Sequence, residues 1–208
     1  MDFYHDLITQ KSWQLLKDLR RKHEFILIGG WAVFLYTEAL KSKDIDLVME
    51  YADLEKLQEE FPVSKNDRLK KYEARSEEVE IDIYVPFYSN PGLPAEDLKR
   101  FVMSIGGFSL VEKEILVHLK QKALMERAHS AKGRKDLIDI ISLFRLADFD
   151  WEKYRDVIRR YGVEKHTKFV QNTIAHTREI NELDLNVHRM ARLKKRILPL
   201  LEVTTGRT

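Results

Sequence analysis

Three aspartates carry the most informative spacing in this 208-residue sequence. Asp44 and Asp46 stand two apart around Ile45, at the mouth of a run, Ile45-Asp46-Leu47-Val48-Met49, that reads as a β-strand. The two-residue period of a strand points both carboxylates to one face. Asp82 lies between Ile81 and Ile83, in a stretch where Val79, Ile81, Ile83 and Val85 alternate with Glu80, Asp82 and Tyr84. Its carboxylate therefore faces away from the buried side of its strand and meets the first pair if the strands are neighbours. Three carboxylates at one point repel each other unless a divalent cation sits among them. An all-oxygen donor set suits Mg²⁺ or Mn²⁺ better than zinc, and its natural use is metal-assisted phosphoryl chemistry.

A second element fits the same chemistry. Phe25-Ile26-Leu27-Ile28 is a short apolar, β-branched run that ends at Gly29-Gly30 and opens a helix. Bare backbone N–H groups and the helix dipole favour a phosphate there, and glycine lets it approach closely. Taken singly, a Gly-Gly pair is ordinarily a turn and an Asp-x-Asp ordinarily a solvated strand end. Their order along the chain carries more than either piece.

Other chemistries are excluded or unsupported. The chain has no cysteine, so disulfides, thiolate ligands and thiol nucleophiles are ruled out. Its seven histidines form no paired metal-ligand motif, and His118 reads as a helix-surface or interhelical residue. With 36 basic and 34 acidic side chains the net charge is +2, too small for a global field that would gather nucleic acid or membrane. The first residues lack a basic flank and an apolar run, and the longest apolar stretch, Phe25 to Tyr36, is too short to span a bilayer. No membrane partner and a cytoplasmic location are therefore expected.

The elements that must position these residues follow from the hydrophobic periods. An opening amphipathic helix runs from about Tyr4 to Lys22. Strand Phe25 to Ile28, a helix from Trp31 to about Leu40, strand Ile45 to Met49 and helix Ala52 to Glu60 follow. Arg68 to Arg75 and Val79 to Val85 read as an antiparallel pair that Pro86 ends, and Asn90 to Pro94 as a loop. After a short helix and a strand to Leu110, helices are expected at about Glu112 to Ala128, Lys135 to Leu146, Trp151 to Tyr161 and Leu183 to Leu200. The fold class is α/β (α+β): a small mixed sheet flanked by helices over residues 1–104, then a helical bundle over 105–208.

In this order the motifs resemble the nucleotidyltransferase superfamily related to DNA polymerase β. Its signature is a hydrophobic strand, Gly-Gly or Gly-Ser, about a dozen residues, Asp-hydrophobic-Asp and a later third Asp. Here it reads Ile28-Gly29-Gly30, thirteen residues, Asp44-Ile45-Asp46, then Asp82. Gly29-Gly30-Trp31-Ala32 is similar to the form in antibiotic-type, AbiEii-like and minimal nucleotidyltransferases. The resemblance implies a nucleotidyltransferase core, with Asp44, Asp46 and Asp82 as metal ligands and catalytic carboxylates. It further implies an NTP substrate, ATP among them, Gly29 and Gly30 at its phosphates, and Ser42 in place of the hydroxyl the family often carries after the first glycine.

Leu119-Lys120-Gln121-Lys122-Ala123 to Arg127, followed by Lys132-Gly133-Arg134-Lys135-Asp136-Leu137-Ile138-Asp139, resembles the Lys, Arg and Lys-Asp-x-x-Asp helices of the AbiEii-like group. On a helix, Leu116, Leu119 and Ala123 form the buried stripe, with Lys122 on one flank and Lys120 and Arg127 on the other. Either Lys120 or Lys122 is thus the triphosphate contact; otherwise both face solvent and the aspartates make local ion pairs. Near the C-terminus, Met190, Leu193, Ile197 and Leu200 form an apolar stripe that should pack on the bundle or on a second copy in a homodimer. Arg189, Arg192, Lys194, Lys195 and Arg196 cover the other faces, as solvated surface or as a strip for RNA. The acceptor is left open among small molecules, proteins and RNA. The reading from a different class is a non-catalytic binding module or a toxin–antitoxin component.

Overall fold

The apolar runs around the three aspartates become the centre of a seven-stranded mixed sheet. In this computed structural model, which describes residues 2–202 with side chains from residue 6 onward, the chain forms two units, Met1–Glu112 and Lys113–Thr208. The strands of the first unit are β1 (Ile26–Ile28), β2 (Ile45–Val48), β3 (Val63–Asn66), β4 (Lys71–Ser76), β5 (Val79–Tyr84), β6 (Val102–Ile105) and β7 (Phe108–Val111). They lie in the order β3-β4-β5-β2-β1-β7-β6. β2 runs antiparallel to β1 and parallel to β5, and β1 runs parallel to β7.

Register gives the sheet two different faces. Leu27 pairs with Leu47 and Leu110, Leu47 with Ile83, and Ile45 with Ile81, and all six side chains are fully buried. Burying an aliphatic side chain of this size contributes about 1.5–3 kcal/mol, so this row fixes the strand register. The aspartates then fall on the opposite face. Helices α1 (Asp2–Lys22) and α2 (Gly29–Thr37) are tied together by Trp31, which is 2% exposed, donates from Nε1 to Ser12 Oγ at 2.8 Å and meets the Trp13 ring at 4.9 Å. Helices α3 (Tyr51–Glu60) and α4 (Ala95–Leu98) complete the unit.

Two edge strands, β3 and β6, are absent from the sequence-based expectation. Val63-Ser64-Lys65-Asn66 has one apolar residue, and β6 is exposed on both faces over most of its length, so neither shows the alternation of a half-buried strand. β6 turns into β7 through Gly106 and Gly107, both at positive φ. Pairing of β7 with β1 adds this hairpin to the sheet. The first unit therefore reaches Glu112, and the boundary expected near residue 104 falls inside β6.

The second unit holds α5 (Lys113–Arg127), α6 (Ala131–Phe144), α7 (Trp151–Tyr161), α8 (Glu164–His176) and α9 (Val187–Ile197). α5 packs against α6, α7 and α8. Ser130, Asp150 and Asn186 cap α6, α7 and α9 by accepting first-turn N–H bonds. α8 was not anticipated: its buried positions are Thr167, Val170 and Ile174, and a threonine in the stripe hides the period. His118 takes the interhelical of its two expected places, between α5 and α7. It is fully buried, stacked on Tyr154 and bonded to the Tyr154 carbonyl, and burial pulls its pKa down to about 3, so the ring is neutral. On α9, Met190, Leu193 and Ile197 are buried as expected, but the stripe continues at Leu201. Leu201 lies four residues after Ile197, at the end of a 3₁₀ turn over Leu198–Leu201. Among the described residues no helix is long and apolar enough to cross a membrane.

Candidate functional site

Asp46 on β2 and Asp82 on β5 are direct partners in a parallel ladder, so their carboxylates leave the sheet side by side on the face away from the buried leucine and isoleucine row. Across the other ladder Asp46 pairs with Ile28, the last residue of β1. The next residue, Gly29, has φ +68 and begins α2. A Cβ built on Gly29 would lie 1.9 Å from Asp46 Oδ2 and 2.4 Å from its Cγ, so the carboxylate rests on bare glycine backbone that no other residue leaves room for. No side chain caps α2, and its first turn carries no acidic residue of its own. The positive end of the helix dipole thus favours the Asp46 carboxylate and any anion that joins it. Gly30 is buried within the first turn.

The neighbouring strand brings a residue that no sequence motif marks. Glu73 is the register partner of Asp82, and Lys71, two residues earlier on β4, shares its face. Lys71 Nζ lies 2.6 Å from Asp82 Oδ2 and 3.0 Å from Glu73 Oε1. The residue is 9% exposed. Burial and the charge of Asp46 push the Asp82 pKa up to about 6, against the bond and charge of Lys71. For Lys71 burial acts to lower the pKa, but the bonds and charges of Asp82 and Glu73 outweigh it and hold the ammonium protonated. The antiparallel pairing of the stretch after Arg68 with the Asp82 strand was legible in the alternation. It was the signal that could have placed Lys71 beside Asp82.

Asp44 stands just ahead of the strand that carries Asp46. It sits in a bend one residue before β2 begins, where strand alternation no longer dictates direction. Among the described residues no three acidic or imidazole groups form a ready-made metal cage. The donors present still fit a hard divalent ion: all are carboxylate oxygens, and Asp82 remains short of positive charge even with Lys71 in contact. Ser42 is buried at 6% exposure. A cavity of about 490 Å³ opens at the other end of these strands, lined by His23, Ile26, Val48, Pro86 and Lys99, and contains neither Asp46 nor Asp82.

Lys120 and Lys122 belong to the second unit. Lys120 does not face solvent; its Nζ is 2.7 Å from Asp139 Oδ2 and 3.1 Å from Asp136 Oδ1. Arg127 also holds Asp136, through Nε at 2.7 Å and one terminal nitrogen at 3.0 Å, and Lys135 lies 3.4 Å from Asp139. Burial would raise the Asp136 pKa, but the Lys120 charge and the Arg127 bonds and charge outweigh it and hold the carboxyl below its usual range. Lys122 is partly exposed and pairs with Glu126 one turn on, at 2.7 Å.

Neither a protein-family model nor a curated protein matches the sequence. Solved structures do. A Helicobacter pylori protein described as a candidate nucleotidyltransferase superposes with a TM-score of 0.52 at 15% identity, covering 94% of this chain and 93% of its own. The H. pylori protein JHP933 gives a TM-score of 0.51 at 15% identity, with 93% and 91% covered. At this identity the likeness is one of fold: the chain has a nucleotidyltransferase-like architecture.

Proposed function

We propose that the chain transfers a nucleoside monophosphate from an NTP to an acceptor hydroxyl, releasing pyrophosphate, in a reaction dependent on Mg²⁺ or Mn²⁺. The observation that carries this reading is the Asp46–Asp82 pair, two carboxylates facing each other on parallel strands beside an uncapped helix start. Asp46 and Asp82, with Asp44 close by in sequence, would hold the ion, which supplies charge neutralisation to the triphosphate and orients it. The first-turn N–H groups of α2 at Gly29 and Gly30 receive phosphate oxygens, and Ser42 offers the hydroxyl. Asp82 would help deprotonate the acceptor hydroxyl as the acceptor oxygen bonds to the α-phosphorus, the proton passing to solvent. The bond from that phosphorus to the bridging oxygen breaks, and pyrophosphate leaves with the electron pair.

One observation favours a second reading, a nucleotide-binding module without turnover. Lys71 already neutralises part of Asp82, and no three-acid cage is assembled among the described residues. The same experiment separates the two. The protein is incubated with each NTP and Mg²⁺, alone and with total RNA or a panel of small hydroxylated acceptors, and pyrophosphate and mass additions to protein or acceptor are measured. Metal-dependent pyrophosphate release that disappears in Asp46→Asn supports transfer. Metal-dependent NTP binding without release supports the module, and no binding of any NTP overturns both.

A further inference from the structure

Lys71 is a buried cation set against a cluster of acids on the sheet face that carries Asp46 and Asp82. The strand period puts Lys71 and Glu73 on one face of β4, and the Glu73–Asp82 register brings that face to Asp82. The Lys71 side chain therefore crosses the ladder diagonally, a reach long side chains make readily. Its backbone is held on the other side, because Lys71 is the register partner of Asn66 on β3. The ammonium contacts Asp82 Oδ2 at 2.6 Å and Glu73 Oε1 at 3.0 Å. One oxygen of Asp82 is thus occupied by a permanent positive charge, and a divalent ion seated on that oxygen would sit against an ammonium. Only Oδ1 is left to share an ion with Asp46.

We propose that Lys71 is a positioning residue that serves Asp82 as a built-in counter-ion, so that the site works with one divalent ion where a second would otherwise bind. The inference rests on the nucleotidyltransferase reading. It assigns Lys71 two tasks: to fix the rotamer of Asp82 with Oδ1 toward Asp46, and to supply the charge that a second ion would bring.

The test counts bound ions. Mn²⁺ is titrated into wild type, Lys71→Arg and Lys71→Met, each checked for folding by circular dichroism, and bound Mn²⁺ is read from the loss of the free-ion paramagnetic resonance signal. Wild type and Lys71→Arg should each bind one Mn²⁺ at the site, removed by Asp46→Asn. Lys71→Met should bind one more, and the additional ion should be lost when Asp82→Asn is added. A purely structural lysine would leave the count unchanged in a folded Lys71→Met, and that result overturns the proposal. Two ions in wild type overturn it whether or not the methionine variant folds. Wild type that binds no Mn²⁺ overturns the metal-dependent reading as well, whereas either of the other failures, in a protein that still releases pyrophosphate, sinks the Lys71 assignment alone.

Discussion

The sheet and the helical bundle each set lysine against a pair of carboxylates, and the balance of charge differs between them. In the bundle, Asp136 and Asp139 are 1% and 0% exposed and are met by Lys120, Arg127 and Lys135, so cations outnumber carboxylates. In the sheet, Asp82 and Glu73 share Lys71 while Asp46 stands beside Asp82, and the side chain of Asp82 keeps 22% of its surface open. The carboxyl pKa moves accordingly, down at Asp136 and up to about 6 at Asp82. A cluster saturated with cations is finished and works as an internal brace. A cluster left short of positive charge and open to solvent is prepared to receive a cation from outside.

The largest expected effect tests that difference directly. Asp46→Asn should reduce transfer by roughly 10³-fold or more, since removing a metal ligand forfeits several kcal/mol of transition-state stabilisation. Its thermal unfolding in EDTA should be unchanged or slightly higher, because a repulsive partner of Asp82 is gone. An active Asp46→Asn would end the contrast, as would one that fails to fold.

Next in size is the brace. Lys120→Met leaves two buried carboxylates without their shared ammonium and should destabilise the bundle by about 3–5 kcal/mol, the range for removing one partner of a buried pair. Lys71→Met should cost less in urea unfolding, because Asp82 is partly solvated and takes up a proton near pH 6. Equal losses in the two variants would show the clusters to be of one kind.

The pH dependences should have opposite signs. Asp82, raised in the folded state, binds its proton more tightly folded than unfolded, so its contribution to stability is fully present below its unfolded pKa and is lost as pH rises through about 6. Asp136, depressed in the folded state, contributes stability above its unfolded pKa that is lost as pH falls through the folded value. In metal-free protein, Asp82→Asn should therefore compare more favourably with wild type at pH 8 than at pH 4, and Asp136→Asn less favourably. Denaturant titrations at the two pH values measure both, and differences of the same sign would refute the account.

The smallest effects come from the glycines. A Cβ on Gly29 meets the Asp46 carboxylate and also Asp46 Cβ at 2.7 Å, which no turn of that side chain relieves. Gly29→Ala should lower transfer and also stability, with about 1–3 kcal/mol lost to the left-handed backbone. A Cβ on Gly133 would lie 2.2 Å from the Arg127 carbonyl oxygen, which is backbone and cannot yield alone. Gly133→Ala should therefore lower the melting temperature and leave transfer per folded molecule unchanged.

The sequence by itself determined the centre of this protein. Alternation at Ile45, Leu47, Ile81 and Ile83 set which side of β2 and β5 is buried, and so set Asp46 and Asp82 on the opposite one. The order of strand, Gly-Gly, Asp-x-Asp and third Asp carried the fold, which the structural likeness supports. These are local properties, since a period of two and a turn at glycine are written into a few consecutive residues. What only the tertiary structure decided depends on residues distant in sequence. β3 and β6 are strands because a neighbour offers them hydrogen bonds, and their own exposed residues show no period. α8 hid its stripe behind Thr167 for want of knowing what it packs on. The strand begins at Ile45, so alternation alone does not set the direction of Asp44. Lys71 and Lys120, of a residue type that ordinarily faces water, are held inside by carboxylates that only the pairing of β4 with β5 and of α5 with α6 brings within reach. Burial of a charge is decided by its partner, and the partner is chosen by the fold.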